Sequence, residues 1–421
     1  MTLESIALRK RGVVYDFAGA VYESDDSVAI VWEYDRDLFD RVTVRRITDR
    51  FATILRTVAN APDTLIRDIG VEDDLTRTLL LEASRGASLP HRLPPVTELI
   101  SKHAAAYPDS PAVEDDGAVL TCGELDARAN RIAAAIRHVI TAVQTPGEGP
   151  VAIWVSSTAD LAITGLGVLR TGACCDALDW GLDPDRVRTA LADDAARLLI
   201  TTTRRRGSLG VLPIPVICMD VEHSGQPGGP RSALRPDLPA LVLRTSGVEG
   251  PPRAVVVDHY MLSAAAYESL RGDAPRGDVL LSDARTAGHM LATLVTVLAS
   301  GDTAVVAPQG EFATVIGSGR AVKSVAMTPT ELARVLGHLD RTRTTPRVGA
   351  LVLSGEVLPG WLVHRWREHA AGTRIVHQYG GAELGLAVSA GEIPPDGGGI
   401  VPTGRPTSGT RRYVLDDAAR L

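Results

Sequence analysis

The sequence predicts an α/β protein built on a mostly parallel sheet covered by helices. Three observations carry that reading. Between residues 120 and 220, short aliphatic runs alternate with longer runs whose apolar residues recur at three- and four-residue spacing, the rhythm of strands and covering helices. Two Gly-rich polar stretches, residues 243–259 and 377–385, each follow directly on an aliphatic run, as loops do at strand ends. The chain is 45% hydrophobic and 23% charged but only 4% aromatic, so its cores are aliphatic. A length of 421 residues gives room for two or three domains or subdomains.

Taken in order, the first segment carries a strand and a helix. YDRDLFD at residues 34–40 is followed by Val44, Ile47, Phe51, Ile54, Leu55 and Val58 at helical spacing. Residues 1–60 are too few to bury a core of their own, so they are expected to pack as a tail on a neighbour. SRGASLPHRLPP at residues 84–95 reads as a linker, which divides the chain into residues 1–83, the linker, and a domain over 96–421. Beyond it Leu125, Ala129, Ile132, Ala133 and Ile136 mark a helix. Residues 151–155 read as a strand, 161–170 as a helix and 173–178 as a strand. Val187 and Leu191 lie in the next helix, and 198–202 and 216–220 are further strands. Residues 222–239 and 392–402 are turn-rich surface loops, and Arg204, Arg205 and Arg206 read as a solvated turn.

Several classes are disfavoured. A net charge of −7 argues against a nucleic-acid partner. There is no run of eighteen apolar residues to span a membrane. Glu4, Arg9, Lys10 and Arg11 interrupt any apolar N-terminal run, so a signal peptide is not expected and the expected location is cytoplasmic. Cys122, Cys174, Cys175 and Cys218 lack CxxC spacing and read as reduced thiols rather than a metal site.

The two Gly-rich stretches carry the chemistry. LRTSGVEGPPRAVVVDH places Thr245, Ser246, Gly247, Gly250 and the cation Arg253 between two short strands. Such a loop exposes backbone N–H groups and small hydroxyls that cradle a polyphosphate, although it does not fit the Walker pattern, and a plain hairpin turn is the alternative. HQYGGAELG offers Tyr379 to stack on a base, Gly380 for close approach and Glu383 to hold a metal ion.

Together these stretches resemble the signatures of the adenylate-forming enzymes, [YF]TSG[ST]TGxPKG and YGxTE, and most nearly those of the adenylation domains of nonribosomal peptide synthetases. Further resemblances fall in order. LTCGEL with Asn130 and Arg131 is similar to LTYxEL…NR, and LRTGACCDALD at 169–179 to LKAGxAYVPLD. LSGEV at 353–357 is similar to GGEAL, and GRPTSGTRRYVLD at 404–416 to GRPIANTxxYVLD. The match covers residues 96–421. Residues 34–58 look like the last strand and helix of a condensation domain, whose HHxxxDG motif is absent.

The resemblance implies the large N-terminal subdomain of the adenylate-forming fold, in which mostly parallel sheets covered by helices are layered, with its C-terminal subdomain absent from these 421 residues. The implied activity is ATP-dependent activation of a carboxylic acid as acyl-AMP in the biosynthesis of peptide antibiotics. By resemblance, Thr245, Ser246, Gly247 and Gly250 wrap the phosphates with Arg253 beside them. Gly355 and Glu356 lie along the adenine, Tyr379 and Gly380 flank it, and Glu383 holds Mg²⁺. The acyl pocket is formed by Gly288, His289, Ala292, Ala326, Val352, Ser354, Gln378, Leu386 and Ala387. The catalytic Lys expected in the C-terminal subdomain is not in the sequence, so no catalytic residue is assigned.

The chain departs from the pattern at functional positions. Val248 and Glu249 replace a hydroxyl pair, Arg253 replaces Lys, and Ala382 replaces Thr. Gly288 stands where amino-acid-activating members carry an Asp that grips the substrate ammonium, and Asp283 is off that register. The pocket positions are mostly small or apolar, which suits an aryl, keto or hydroxy acid without an α-ammonium. The alternative is a catalytically inactive pseudo-adenylation scaffold or docking module in a synthetase assembly. Either reading expects a carrier protein or other synthetase domains as partners.

Overall fold

The computed structural model describes residues 14–24, 27–70, 74–143, 149–221, 235–245, 253–270, 275–282, 286–384, 386–394 and 399–416; at 74, 142, 143 and 383 only the backbone is described. The chain divides into two compact units, Ser84–Arg412 and a smaller one formed by Met1–Ala83 with Tyr413–Leu421.

The smaller unit holds an antiparallel hairpin, β1 (Phe17–Ser24) and β2 (Ser27–Tyr34), followed by helices α1 (Arg41–Asn60) and α2 (Asp74–Ala83). The rings of Phe17 and Trp32 stack at 5.1 Å, and Trp32 meets Phe51 of α1 edge-on at 5.4 Å. Gly19 lies beneath the indole, where a Cβ would come 2.8 Å from the ring, so the strand needs glycine there. Residues 34–40 form the turn and cap between strand and helix. Asp35 accepts from the Asp37 N–H at 2.8 Å, and Asp40 caps α1 by accepting from the Thr43 N–H at 2.8 Å. The Thr43 N–H and hydroxyl, both donating to it, hold the Asp40 carboxyl below the usual carboxylate range.

The larger unit runs α3 (Val96–Ala106), β3 (Pro111–Asp115), β4 (Ala118–Thr121), α4 (Cys122–Val143), β5 (Val151–Trp154), α5 (Thr158–Leu169), β6 (Cys175–Ala177), α6 (Pro184–Asp193), β7 (Leu198–Thr201), α7 (Thr203–Ser208) and β8 (Val216–Cys218). It continues with β9 (Pro239–Arg244), β10 (Ala254–Asp258), α8 (His259–Leu270), β11 (Asp278–Leu281), α9 (Ala287–Ala299), β12 (Thr303–Val306), α10 (Phe312–Gly317), β13 (Ala321–Met327) and α11 (Pro329–Thr342). The last elements are β14 (Arg347–Leu353), α12 (Gly360–His369), β15 (Arg374–Gly380), β16 (Ala387–Glu392) and β17 (Arg405–Pro406).

These strands form two sheets, in the order β10-β9-β6-β5-β7-β8 and β17-β16-β15-β14-β13-β11-β12-β3-β4. Both are parallel through their middles, with antiparallel strands confined to the edges at β10, β4, β16 and β17. Central strands are covered on both faces, which is why VAIW and LLIT read as unbroken aliphatic runs and are wholly buried. Helices α5 and α9 touch strands of both sheets and are buried almost all round, so neither shows a one-sided apolar stripe. They approach closely because Gly165 leaves space that Leu291 of α9 fills.

Two sequence expectations change here. The triple arginine is not a solvated turn: it lies in α7, where the Arg205 guanidinium stacks 4.3 Å from the Trp154 ring and donates to the Trp180 carbonyl at 3.1 Å. A planar cation on an indole face accounts for that placement. Residues 84–89 are zippered to residues 407–412. The Gly86 N–H donates to the Thr410 carbonyl at 2.9 Å, Gly409 to Ala87 at 2.8 Å and Arg412 to Ser84 at 2.8 Å.

His259 opens α8 and is 3% exposed, with neither ring nitrogen hydrogen-bonded among the described residues. Burial holds its pKa below the ordinary value, so the folded protein keeps it neutral where the unfolded chain binds a proton. Stability from this group is therefore intact above about pH 6.5 and drains as pH falls toward the folded pKa, by up to about 1.4 kcal/mol per pH unit. Denaturant melts from pH 8 to pH 5 should show His259→Phe losing less stability than the wild type on acidification. Parallel curves would mean the imidazole finds a partner when charged.

Candidate functional site

A cavity of about 860 Å³ opens in the larger unit. One wall is α9, which presents His289, Ala292, Thr293 and Thr296 at one-turn and two-turn spacing. Its start is fixed by Asp179, which accepts from the Ala287 N–H at 2.7 Å, and by a 2.8 Å bond between the Thr286 hydroxyl and His289 Nδ1. The floor is the carboxyl ends of parallel strands, contributing Ala326 from β13, Ser354 just beyond β14 and Gln378 from β15. Crevices at that end of a parallel sheet are where such folds bind ligands.

The start of α11 is a third wall. Thr328 and Glu331 form a capping box, with N–H to side-chain distances of 2.8 and 3.1 Å, and Glu331 also accepts from the Ser282 hydroxyl at 2.7 Å. Glu356 accepts from the Thr330 N–H at 3.0 Å and hydroxyl at 2.7 Å, so a second carboxylate rests on the positive end of the same helix. Gly355, at φ +89°, makes the turn that delivers it. On the fourth side Gly380 and Gly381 lie against Leu386 and Ala387. A Cβ on Gly380 would run into the Leu386 carbonyl, so the β15–β16 bend needs glycine.

Of the sequence-expected pocket residues, His289, Ala292, Ala326, Ser354, Gln378, Leu386 and Ala387 all line this cavity, together with Gly355, Glu356 and Gly380. Gly288 and Val352 are not among its lining residues. Gly288 faces the sheet, where a Cβ would stand 3.0 Å from the Val242 carbonyl, and Val352 sits one pleat below Ser354. Tyr379 is half exposed and on the opposite side of the strand from Gln378 and Gly380. Its strand runs on through Gly380, because β16 pairs with it, rather than ending before His377.

In the phosphate-loop candidate, Thr245 and Arg253 are the closing pair of the β9–β10 hairpin. The Thr245 N–H donates to the Arg253 carbonyl at 3.0 Å, and the Thr245 hydroxyl accepts from the Arg253 N–H at 3.0 Å. Ser246, Gly247, Val248, Glu249 and Gly250, and the side chain of Glu383, lie outside the described residues. Among the described residues no cluster of three His, Cys, Asp or Glu stands ready for a metal ion. Ala382 packs in the apolar core at 5% exposure.

Sequence reasoning missed three features. Helix α8 lines the cavity with Tyr260, Met261, Ala264, Ala265 and Glu268, and residues 407–410 with Leu89 form its last wall. At the foot of the phosphate-loop candidate, Arg244 donates to the buried Asp176 at 2.8 Å and to Asp194 at 2.6 Å. Burial pushes the Asp176 carboxyl up to about 7 against the pull of Arg244. The resembled motifs carry an aromatic and a valine where Arg244 and Asp176 stand, so each departs from its motif alone and only the fold shows that the two are paired.

Residues 100–421 match the family model described as AMP-binding enzyme. The chain is 29% identical over 425 residues to a probable non-canonical nonribosomal peptide synthetase, CymA, of Salinispora arenicola, covering 96% of this chain and 5% of that protein. It superposes with a TM-score of 0.79 on the nonribosomal peptide synthetase FmoA3 in its alpha-methyl-L-serine-AMP bound form, at 22% identity, covering 98% of this chain and 48% of that one. It also superposes, at 0.66 and 21% identity, on the Klebsiella oxytoca NpsA N-terminal subdomain in complex with 3-hydroxybenzoyl-AMSN, covering 78% of this chain and 83% of that one. These superpositions show a shared fold. The chain belongs to the AMP-binding enzyme family.

Proposed function

We propose that this chain supplies the nucleotide- and acyl-binding part of an AMP-forming carboxylate ligase that works in nonribosomal peptide assembly. The observation that carries the reading is convergence. Residues expected in one acyl pocket come from α9, β13, β15, the end of β14 and the turn before β16, and they line one cavity with Gly355, Glu356 and Gly380. The cavity lies at the carboxyl ends of the parallel strands and has the size of a small-molecule site.

In the proposed reaction a carboxylate oxygen bonds to the α-phosphorus of ATP as the bond to pyrophosphate breaks. Charge builds on the phosphoryl oxygens, and positioned donors with a cation lower that cost. Arg253 at the hairpin is the candidate cation, and Mg²⁺ bound near Glu383 would add a second. The cavity supplies orientation. Gly288 brings no carboxylate to it, and its lining is largely small, which supports an acid that does not rely on an α-ammonium. The partners proposed for the acyl group are a carrier protein and further synthetase domains, and the proposed location is cytoplasmic. We assign residues 1–83 to the tail of a preceding condensation-type domain.

The second reading, an inactive scaffold, is favoured by Ala382. It is buried in the core, so no hydroxyl is offered there to a phosphate. Calorimetry with ATP·Mg²⁺, and AMP as the control, separates the two. Saturable binding with a Kd of about 1 mM or tighter is expected. Absence of heat from both nucleotides at millimolar concentration would leave the scaffold.

A further inference from the structure

The first turns of α11 bring two unengaged polar groups to the cavity. Glu356 accepts from the Thr330 N–H at 3.0 Å and from the Thr330 hydroxyl at 2.7 Å, and both bonds end on its Oε2. Its Oε1 accepts no hydrogen bond among the described residues. Arg334 lies one helical turn beyond Thr330 and so on the same face of α11. Helix side chains lean toward the N-terminus, which carries the Arg334 guanidinium back toward the turn that Glu356 caps.

Both residues are exposed and line the cavity. Among the described residues Arg334 makes no ion pair or hydrogen bond, and no other Lys or Arg lines the cavity. The remaining carboxylates of the lining have partners. Glu331 accepts from the Ser282 hydroxyl with one oxygen and from the Thr328 N–H with the other, and Glu268 accepts from the Ser408 N–H. One open acceptor and one open donor fork are therefore offered from neighbouring turns. A lone anion would suit Arg334 and be repelled by Glu356, and a lone cation the reverse. A neutral edge with a donor beside an acceptor satisfies both. Adenine carries such an edge, its amino group next to a ring nitrogen, whereas an oxo-purine puts a carbonyl oxygen in place of the amino group. Tyr379, the side chain expected to flank the base, does not line the cavity.

We propose that Glu356 and Arg334 are specificity-determining residues that read the base of the nucleotide: Glu356 Oε1 accepts from the adenine amino group, and Arg334 donates to the ring nitrogen beside it. The proposal rests on the nucleotide-binding reading above. The test is calorimetry on the full chain with AMP, IMP, 1-deaza-AMP and 7-deaza-AMP. AMP should bind about tenfold more tightly than IMP. Glu356→Gln keeps an oxygen for Thr330 and turns an amide donor to the ligand, so that preference should shrink at least about fivefold. Arg334→Leu, a change at an exposed position, should weaken AMP about fivefold and leave unchanged the deaza analogue that lacks the contacted nitrogen. Equal affinity of the wild type for AMP and IMP overturns the proposal and leaves the nucleotide-binding reading standing. A preference untouched by Glu356→Gln overturns it as well. So does an Arg334→Leu variant that binds AMP like the wild type, or one that weakens AMP and both deaza analogues alike, which would put Arg334 on the phosphate. If the wild type binds no nucleotide at millimolar concentration, the nucleotide-binding reading fails and takes this proposal with it.

Discussion

Replacing Arg244 with Leu is expected to cost about 3 kcal/mol of stability at pH 8.5 and clearly less at pH 5.5. Asp176 is 2% exposed at its side chain, and Arg244 is the cation that meets it. Above its pKa of about 7 the carboxylate is charged in the native protein, and without Arg244 it must either remain an unpaired buried charge or take up a proton. Below that pKa it is already neutral, so removing the guanidinium costs mainly hydrogen bonds. The sign therefore follows: the difference between variant and wild type grows as pH rises through about 7. Asp176→Val combined with Arg244→Phe should recover most of the loss, because apolar replacement of a buried pair is often neutral or better. Denaturant titrations at the two pH values check this. A cost that does not change with pH would mean that Asp176 stays protonated throughout.

Gly404→Ala is expected to destabilise the larger unit by about 3 kcal/mol and to weaken ligand binding at the cavity at least tenfold. Gly404 sits at φ +75°, and a Cβ there would run into the Ala390 carbonyl and the Gly391 nitrogen. Gly391 returns the approach, with a Cβ position 2.6 Å from the Gly404 Cα. The obstruction is backbone on both sides, so no side chain can rotate away. Yielding would pull β17 from β16 and shift residues 407–410, which wall the cavity. The Arg412 guanidinium adds to that registration, donating to Ser389 at 2.7 Å and to the Gly404 carbonyl at 3.0 Å. Melting of the variant and its affinity for AMP are the two readouts. Wild-type values for both would show that the crossing relaxes at little cost.

The strands were legible because parallel strands covered on both faces must be aliphatic throughout, and VAIW, LLIT and the run before Thr245 are. The strand-end pocket was legible through motif resemblance, which carried Ala326, Ser354 and Gln378 to one place from separate strands. The α8 wall was not. HYMLSAAAYESL spreads small and apolar residues around the helix, so no face announces itself. The Arg244–Asp176 pair joins residues 68 apart, and each alone reads as a local substitution. Leu89 was hidden by its neighbours: a Pro-bearing stretch reads as linker until its backbone partners, some three hundred residues later, are known.

The zipper between residues 84–89 and 407–412 bears on how such a domain can be transplanted. A junction placed after residue 95, where the sequence suggests a seam, would graft the cavity onto a foreign Leu89 equivalent and a foreign set of backbone partners for Gly409. A junction placed before Ser84 moves the wall together with the floor. Chimeras cut at the two points should therefore differ in stability and in how they bind a ligand at the cavity, even though every residue of the expected acyl pocket is the same in both.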